Sequence, residues 1–362
     1  VIGVLGATGA VGRAAVPGLA GLGLPLRCAA RRPPVPGDGT WAVDLRDPAR
    51  LAEFCAGCRV VVNCAGPSYE VLDTVARAAL DAGADYVDPA GDDPLHALLA
   101  PRDLASRGRR AVLSAGLLPG LSGLLPRMLA GHGQATGLLA FAGGLAPLTP
   151  AAARDFLLSA SAGIGEPLAG WSGGRRAPRS LRPVRDVRLP FLPGEATAYP
   201  YLPTEIERAA ALLGVREARW YNVFPTGRAE RVLSALWNGG VPDLDEAAAR
   251  LMEAIRLDLA GRDPYHRIVV QASGPAGTRT LVVASTDGYE PAAAVTVAAT
   301  AAVLGGTVPA GTHYAAGVLE PSEVHALLGG LPGVTLTEAG PELHLIDVER
   351  AGAGRTVEEG DL

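Results

Sequence analysis

The sequence predicts an α/β protein: a parallel sheet wound by helices over residues 1–125, a mixed α+β part over 126–290, and closing helices and a strand over 291–362 that fold back on the first part. Three observations carry this reading. The apolar run Val1-Ile2-Gly3-Val4-Leu5 ends in GATGAVG, from Gly6 to Gly12, directly ahead of the helix-forming Arg13-Ala14-Ala15-Val16. Short β-branched runs then alternate with helical stretches for about 120 residues. After Pro119-Gly120 that alternation stops.

Taken in order, residues 1–5 read as a strand, 12–22 as its helix and 24–29 as the second strand. Residues 40–43 make a short third strand, and 48–55 a helix whose start Asp47 caps. A very apolar strand follows at 60–64, then a helix over 69–82 ended by Gly83, and strands at 86–88 and 111–114. This succession is that of a Rossmann domain. Beyond it, 121–130 reads as a helix and 138–143 as a strand. The stretch 163–203 is dense in Pro, Gly and Arg and predicts a long excursion or lid. Helices are predicted at 204–213, 243–260, 291–304 and 321–328, and strands at 218–223, 267–272, 280–285 and 342–348.

With 362 residues and 48% hydrophobic content the chain can bury two cores, and its net charge of −5 argues against a nucleic-acid surface. The apolar run 292–304 is too short to span a bilayer, and no signal-peptide pattern precedes the first strand. All four cysteines (Cys28, Cys55, Cys58 and Cys64) lie in the first fifth of the chain, which suits a reducing cytoplasm better than a disulfide framework. Cys55 and Cys58 form a CxxC with no second pair or histidines at ligand spacing, so they read as apolar fillers and no metal is expected. All 32 basic residues are arginine. The absence of lysine removes Schiff-base chemistry, the Tyr-xxx-Lys dyad of short-chain reductases and the phosphate-binding P-loop lysine.

In the turn, Gly6, Gly9 and Gly12 let the backbone approach a pyrophosphate, and Thr8, Ala10 and Val11 present amides at the N-terminus of the next helix. At the end of the second strand an NAD site wants a carboxylate, whereas this chain has Arg31 and Arg32, which suits the 2′-phosphate of NADPH. Asp44 is placed to meet the adenine edge. Asn63, Cys64, Ala65, Gly66 and Pro67 end the strand that passes the nicotinamide half.

GATGAVG, VVNCAGP, DAGADYVDPAGD at 81–92 and SAGLLPGLSGLLP at 114–126 together resemble the saccharopine dehydrogenase-like family of NADP-binding reductases. The closing GVLEPSEVHALL resembles it only in architecture. The resemblance implies that Gly66, Pro67, Asp88, Pro119 and Gly120 form the nicotinamide edge, and that hydride passes to a C=N bond of an amino-acid-derived substrate. Its sharpest form is thiazolinyl imine reduction, thiazoline to thiazolidine on a carrier-bound intermediate, as in enantio-pyochelin-type siderophore assembly. A trans-acting enoyl reductase, a saccharopine- or opine-type reductase and a non-catalytic NADP-binding regulator are the alternatives. Aspartate-semialdehyde dehydrogenases share GATGAVG but need a mid-chain nucleophilic cysteine, and none follows Cys64.

Candidate proton donors are Tyr69, after the AGP turn, Asp88, at a strand's carboxyl end, and Tyr221 and His266, at second-domain strands; His313 stands near the close. The loop 175–188 starts on Arg175, ends on Arg188 and holds six arginines against Asp186. It reads either as a solvated lid or as a dock for an acidic carrier-protein domain. A homodimer is expected.

Overall fold

The structure is a computed structural model that describes residues 1–33, 39–130, 135–159, 162–240 and 243–339. It contains two compact units: Val1–Leu124 with Gly288–Leu331, and Leu125–Asp287 with the described residues from Pro332 on.

In chain order, the first unit supplies β1 (Ile2–Leu5), β2 (Leu26–Ala30), β3 (Trp41–Ala42), β4 (Val60–Asn63), β5 (Asp85–Val87) and β6 (Arg110–Leu113). The second supplies β7 (Gly137–Leu145), β8 (Gly165–Pro167), β9 (Gly170–Ser172), β10 (Arg175–Ala177), β11 (Val184–Val187), β12 (Ala196–Pro203), β13 (Glu217–Pro225), β14 (Tyr265–Gly274) and β15 (Gly277–Ser285). The chain then returns to the first unit for β16 (Gly311–Tyr314) and ends its described part with β17 (Val334–Ala339) in the second.

The first sheet is parallel throughout, in the order β16-β6-β5-β4-β1-β2-β3. Read from β3 this is the doubly wound order, with its reversal between β1 and β4, where such sheets bind ligands beyond the strands' carboxyl ends. Every residue of β1 and β4 is buried, as both faces of a parallel sheet require. The helix Pro48–Cys55 starts as read: Asp47 accepts from the amides of Ala49 and Arg50, each at 3.1 Å. It packs Leu51 and Phe54 onto Leu5, Val61 and Tyr86.

One long helix, Tyr289–Gly305, is buried on nearly all sides, so its Ala, Val and Thr residues show no amphipathic stripe. It crosses the helix Ala10–Ala20 so closely that a Cβ on Gly18 would stand 2.8 Å from Val297. Thr296 Oγ1 donates to Ala115 O at 2.8 Å. Among the described residues, no helix is long and apolar enough to cross a membrane.

The structure departs from the sequence reading in several places. The helix expected over 69–82 is two, Ser68–Val71 and Thr74–Asp81, because Leu72 adopts φ +45 with ψ −124 and ends the first. β16 was not foreseen: GTHY is short, half-buried and polar, and it becomes a strand only by pairing with β6. Helices Pro150–Ser159 and Arg228–Gly239 were also missed; their apolar residues Leu157, Leu233 and Leu236 complete a core with Leu251 and Tyr265.

The second sheet is mixed, β10-β9-β13-β7-β14-β15-β17, with β7 and β13 parallel and β12 joined to β13. The stretch 163–203 is not a structureless excursion, since it contains β8 to β12. Val184, Val187 and Leu189 pack on Phe141, Tyr221, Val269 and Val282, while Arg185 and Asp186 between them face out. Two inward residues around an outward charged pair leave no period for a sequence window to detect. The strand expected at 342–348 lies outside the described residues; β17 sits instead at the edge of the second sheet, antiparallel to β15.

Candidate cofactor and active site

The glycine turn follows β1 at the reversal of the first sheet. Gly6 has φ +71, and a Cβ there would lie 2.5 Å from Cys64 O; a Cβ on Gly12 would lie 2.2 Å from Gly6 O. Only glycine lets the helix start press against both the turn and the β4 loop. The turn is tied by Gly9 N to Gly6 O at 2.9 Å and Ala7 N to Ala29 O at 3.0 Å. Helix Ala10–Ala20 then begins with no side-chain cap and no acid in its first turn. Its leading amides, at Ala10, Val11 and Gly12, stand ready for an anion. Thr8 and Gly9 lie at the solvent side of this turn.

Arg31 and Arg32 follow β2 directly, and both are exposed. Asp44, the residue expected at the adenine edge, is gripped by Arg46 through Nε–Oδ1 at 3.0 Å and Nη2–Oδ2 at 2.6 Å. That hydrogen-bonded pair, with Arg31 adding a smaller pull, holds the Asp44 carboxyl far below the usual carboxylate range. The structure thus fits a dinucleotide: an uncapped helix start for the pyrophosphate, and two exposed guanidinium groups directly after β2, the nearby Asp44 being gripped by Arg46.

On the other side of the reversal, the loops after β4, β5 and β6 interlock around Asp88, which is 3% exposed. Its Oδ2 accepts from Tyr86 OH at 2.5 Å and Asn63 Nδ2 at 3.1 Å, and its Oδ1 from the amides of Ala90 at 2.9 Å and Gly91 at 2.8 Å. Ala115 N donates to Asp88 O at 2.9 Å and Ser114 N to Gly91 O at 2.7 Å. Burial, and then Asp88 itself, pushes the Tyr86 phenol well above its ordinary value. Burial likewise pushes the Cys64 thiol up to about 12, with Asp88 adding to it. Ala65 donates its amide to Asn63 Oδ1 at 3.2 Å, and Gly66 and Pro67 lead into the helix Ser68–Val71. The peptides Gly66–Pro67 and Leu118–Pro119 are both cis, and Gly120 has φ +126.

The predicted donors separate. Tyr69 and Asp88 belong to the first unit, Tyr221 and His266 to the second. Tyr69 is half-buried on Ser68–Val71. Asp88 already receives four donors and serves as an acceptor hub. Tyr221 is 1% exposed, with its ring centroid 6.0 Å from that of Phe141. Burial, helped by Arg267, pulls His266 down to about 4, so its imidazole is neutral at pH 7. His313 Nε2 lies 3.1 Å from Pro309 O.

Sequence reasoning passed over Tyr86, Asp93, His96 and Tyr314. Tyr86 stands two residues before Asp88, and on a strand residues two apart share a face, so that pair was readable. Tyr314 donates to Asp93 Oδ1 across 221 positions and stacks on His96 at 4.9 Å, which no local pattern signals. Among the described residues, no group of three or more His, Cys, Asp or Glu side chains could hold a metal.

Residues 2–85 match the NAD dependent epimerase/dehydratase family. No curated protein matches the sequence. Among solved structures, the chain is similar to apo saccharopine dehydrogenase (L-Glu forming) from Saccharomyces cerevisiae, at 16% identity, covering 93% of this chain and 99% of that one with a TM-score of 0.60. It also aligns with a meso-dapdh mutant from Clostridium tetani E88, at 14% identity over 89% of this chain and 95% of that one, TM-score 0.47. The WlbA (WbpB) dehydrogenase from Thermus thermophilus aligns at 14% identity over 94% and 96%, TM-score 0.42. The first of these shows that the α/β architecture, a parallel seven-stranded sheet with a second mixed-sheet domain, is that of saccharopine dehydrogenase-like structures.

Proposed function

We propose that this chain is an NADPH-dependent oxidoreductase that reduces a C=N bond of an amino-acid-derived substrate, in its most specific form a carrier-bound thiazoline to thiazolidine. The observation that carries the proposal is the dinucleotide cradle: the glycine turn, the uncapped start of Ala10–Ala20, and Arg31 and Arg32 after an acid-free β2 end. Names among the comparisons support a nicotinamide cofactor, in the NAD dependent epimerase/dehydratase match and in the saccharopine dehydrogenase likeness.

When bound, the reduced nicotinamide supplies a hydride to the imine carbon, leaving the oxidised dinucleotide and requiring one proton at nitrogen. The Asp88 side chain ties the ends of β4 and β5 and the loop after β5 together through its four donors, and its backbone carbonyl takes the amide of Ala115 from the loop after β6. We assign the proton to Tyr69, since Asp88 is occupied, Tyr221 is core, and His266 carries no proton to give as imidazolium at pH 7. In the second unit Arg176 pairs with Glu207, Arg185 with Glu230 and Arg188 with Glu195. Arg175, Arg179 and Arg182 are exposed, without acidic partners among the described residues, and are the ones available to an acidic carrier domain.

A titration of NADPH and NADH by nicotinamide fluorescence tests the cofactor assignment. A preference for NADPH of tenfold or more, about 1.4 kcal/mol, should collapse when Arg31→Ala and Arg32→Ala are combined. Binding of neither dinucleotide would overturn the reductase reading. Turnover retained in Tyr69→Phe would remove Tyr69 as donor.

A further inference from the structure

Within the second unit, β14 carries a hydroxyl that the fold leaves without a partner and, beside it, a guanidinium that the fold leaves without a carboxylate. Tyr265 and Arg267 stand two apart on that strand, so their side chains leave the same face of the sheet. Tyr265 is 9% exposed, and its hydroxyl is buried with no hydrogen-bond partner. A buried donor of this kind costs stability until an acceptor reaches it. The Arg267 guanidinium lies over the same ring, its Cζ 5.6 Å from the centroid.

Arg267 is only half spent. Its Nη1 donates to His266 O at 2.9 Å and to Ser285 O at 3.1 Å, which leaves Nε and Nη2, and no acid among the described residues pairs with it. Burial pulls this guanidinium below its ordinary value, and Tyr265 alone acts against that. Burial pushes the Tyr265 phenol up in turn, while Arg267 and then the exposed Arg262 pull it back. The charges that bear on the hydroxyl are therefore both positive.

The neighbouring strands leave room beside Arg267. Its register partners are Gly143 on β7 and Ala284 on β15, which share its face and offer at most a methyl group. Gly143 can be nothing larger, because a Cβ there would run into Val223 O. Leu145, opposite Tyr265, and Val269, next on the strand, make the surroundings apolar.

We infer that this face of the second unit binds the carboxylate of a small acid with an apolar body. Nε and Nη2 of Arg267 form the fork that matches a carboxylate in two parallel bonds. Tyr265 donates a third bond to the same group, Arg262 adds positive charge, and the apolar body lies over Gly143 and Ala284. The site needs no dinucleotide, so it stands apart from the reductase reading.

The test uses 3-phenylpropionate and 3-phenylpropanamide, alike in shape and different in charge, titrated calorimetrically into the full chain at pH 7 without dinucleotide. The acid should bind at least about tenfold tighter than the amide, and Arg267→Gln should erase that preference. Because Arg267 also holds two backbone carbonyls, Tyr265→Phe supplies the second reading. It should weaken the acid by about tenfold, yet leave the thermal midpoint of the unliganded protein unchanged or higher, since it deletes a hydroxyl that lacks a partner. Equal binding of acid and amide, or full acid affinity in Tyr265→Phe, overturns the inference. So does a lowered midpoint in unliganded Tyr265→Phe, which would show the hydroxyl already satisfied by a buried water.

Discussion

Asp88 and Tyr86 show how one buried carboxylate can be affordable at a sheet's end. Four donors converge on Asp88, two of them backbone amides fixed by the chain itself. Asp88→Asn keeps the shape but turns one acceptor into a donor facing other donors, so it should cost about 2–3 kcal/mol in denaturant unfolding. Tyr86→Phe removes a single donor and should cost less, about 1–2 kcal/mol; equal losses would deny Asp88 its role as hub. Cys64 illustrates the opposite use of burial. With its thiol pushed up to about 12, native protein at pH 8 should leave Cys64 unalkylated by iodoacetamide, while unfolded protein is labelled there, as peptide mass spectrometry would show. His266 yields a pH dependence. Its unfolded form takes a proton near 6.5 and its folded form only near 4, so the unfolded state binds more protons between those values. Stability should fall as pH drops from 6.5 towards 4, by roughly 2–3 kcal/mol. His266→Gln should flatten that part of the profile; an unchanged slope would assign it to other groups.

At the scale of elements, strands with unbroken apolar runs were legible and those made by partnership were not. VVVN at β4 announces a buried parallel strand by composition alone, and Asp47-Pro48 announces a helix start by capping chemistry. β11 does neither. Its exposed Arg185 and Asp186 dominate the reading, yet Val184 and Val187 decide its place over Phe141 and Val269. Val187→Asp should therefore destabilise the second unit by about 3 kcal/mol or more, whereas Arg182→Glu on the exposed side should stay within about 0.5 kcal/mol. Similar losses for both would mean the segment does not cover the sheet. The break at Leu72 was illegible for a related reason: no Gly or Pro marks it, and an ordinary leucine takes the positive φ that ends the helix. The glycine turn and the β2 end were read by residue type and order, whereas the Tyr314–Asp93 pair required the closed sheet.

At the scale of the whole molecule, the chain leaves the first unit after Leu124 and re-enters it at Gly288. The helix Tyr289–Gly305 lies in the first unit and is buried on nearly all sides, an inner member of it. A chain cut after Asp287 should lose the Ala10–Ala20 crossing and the β16 strand together, and should bind neither dinucleotide. Full NADPH affinity in that shortened chain would show the returning segment to be dispensable.

The return of the chain also sets a schedule. Ribosomes add about 5–20 residues each second, so roughly ten to forty seconds separate the emergence of β6 from that of β16, which must pair with it. Through that interval β6 offers an open strand edge to any neighbouring nascent chain. Slowed synthesis between Leu124 and Gly311 should therefore lower soluble yield, and early supply of a chaperone that shields strand edges should restore it.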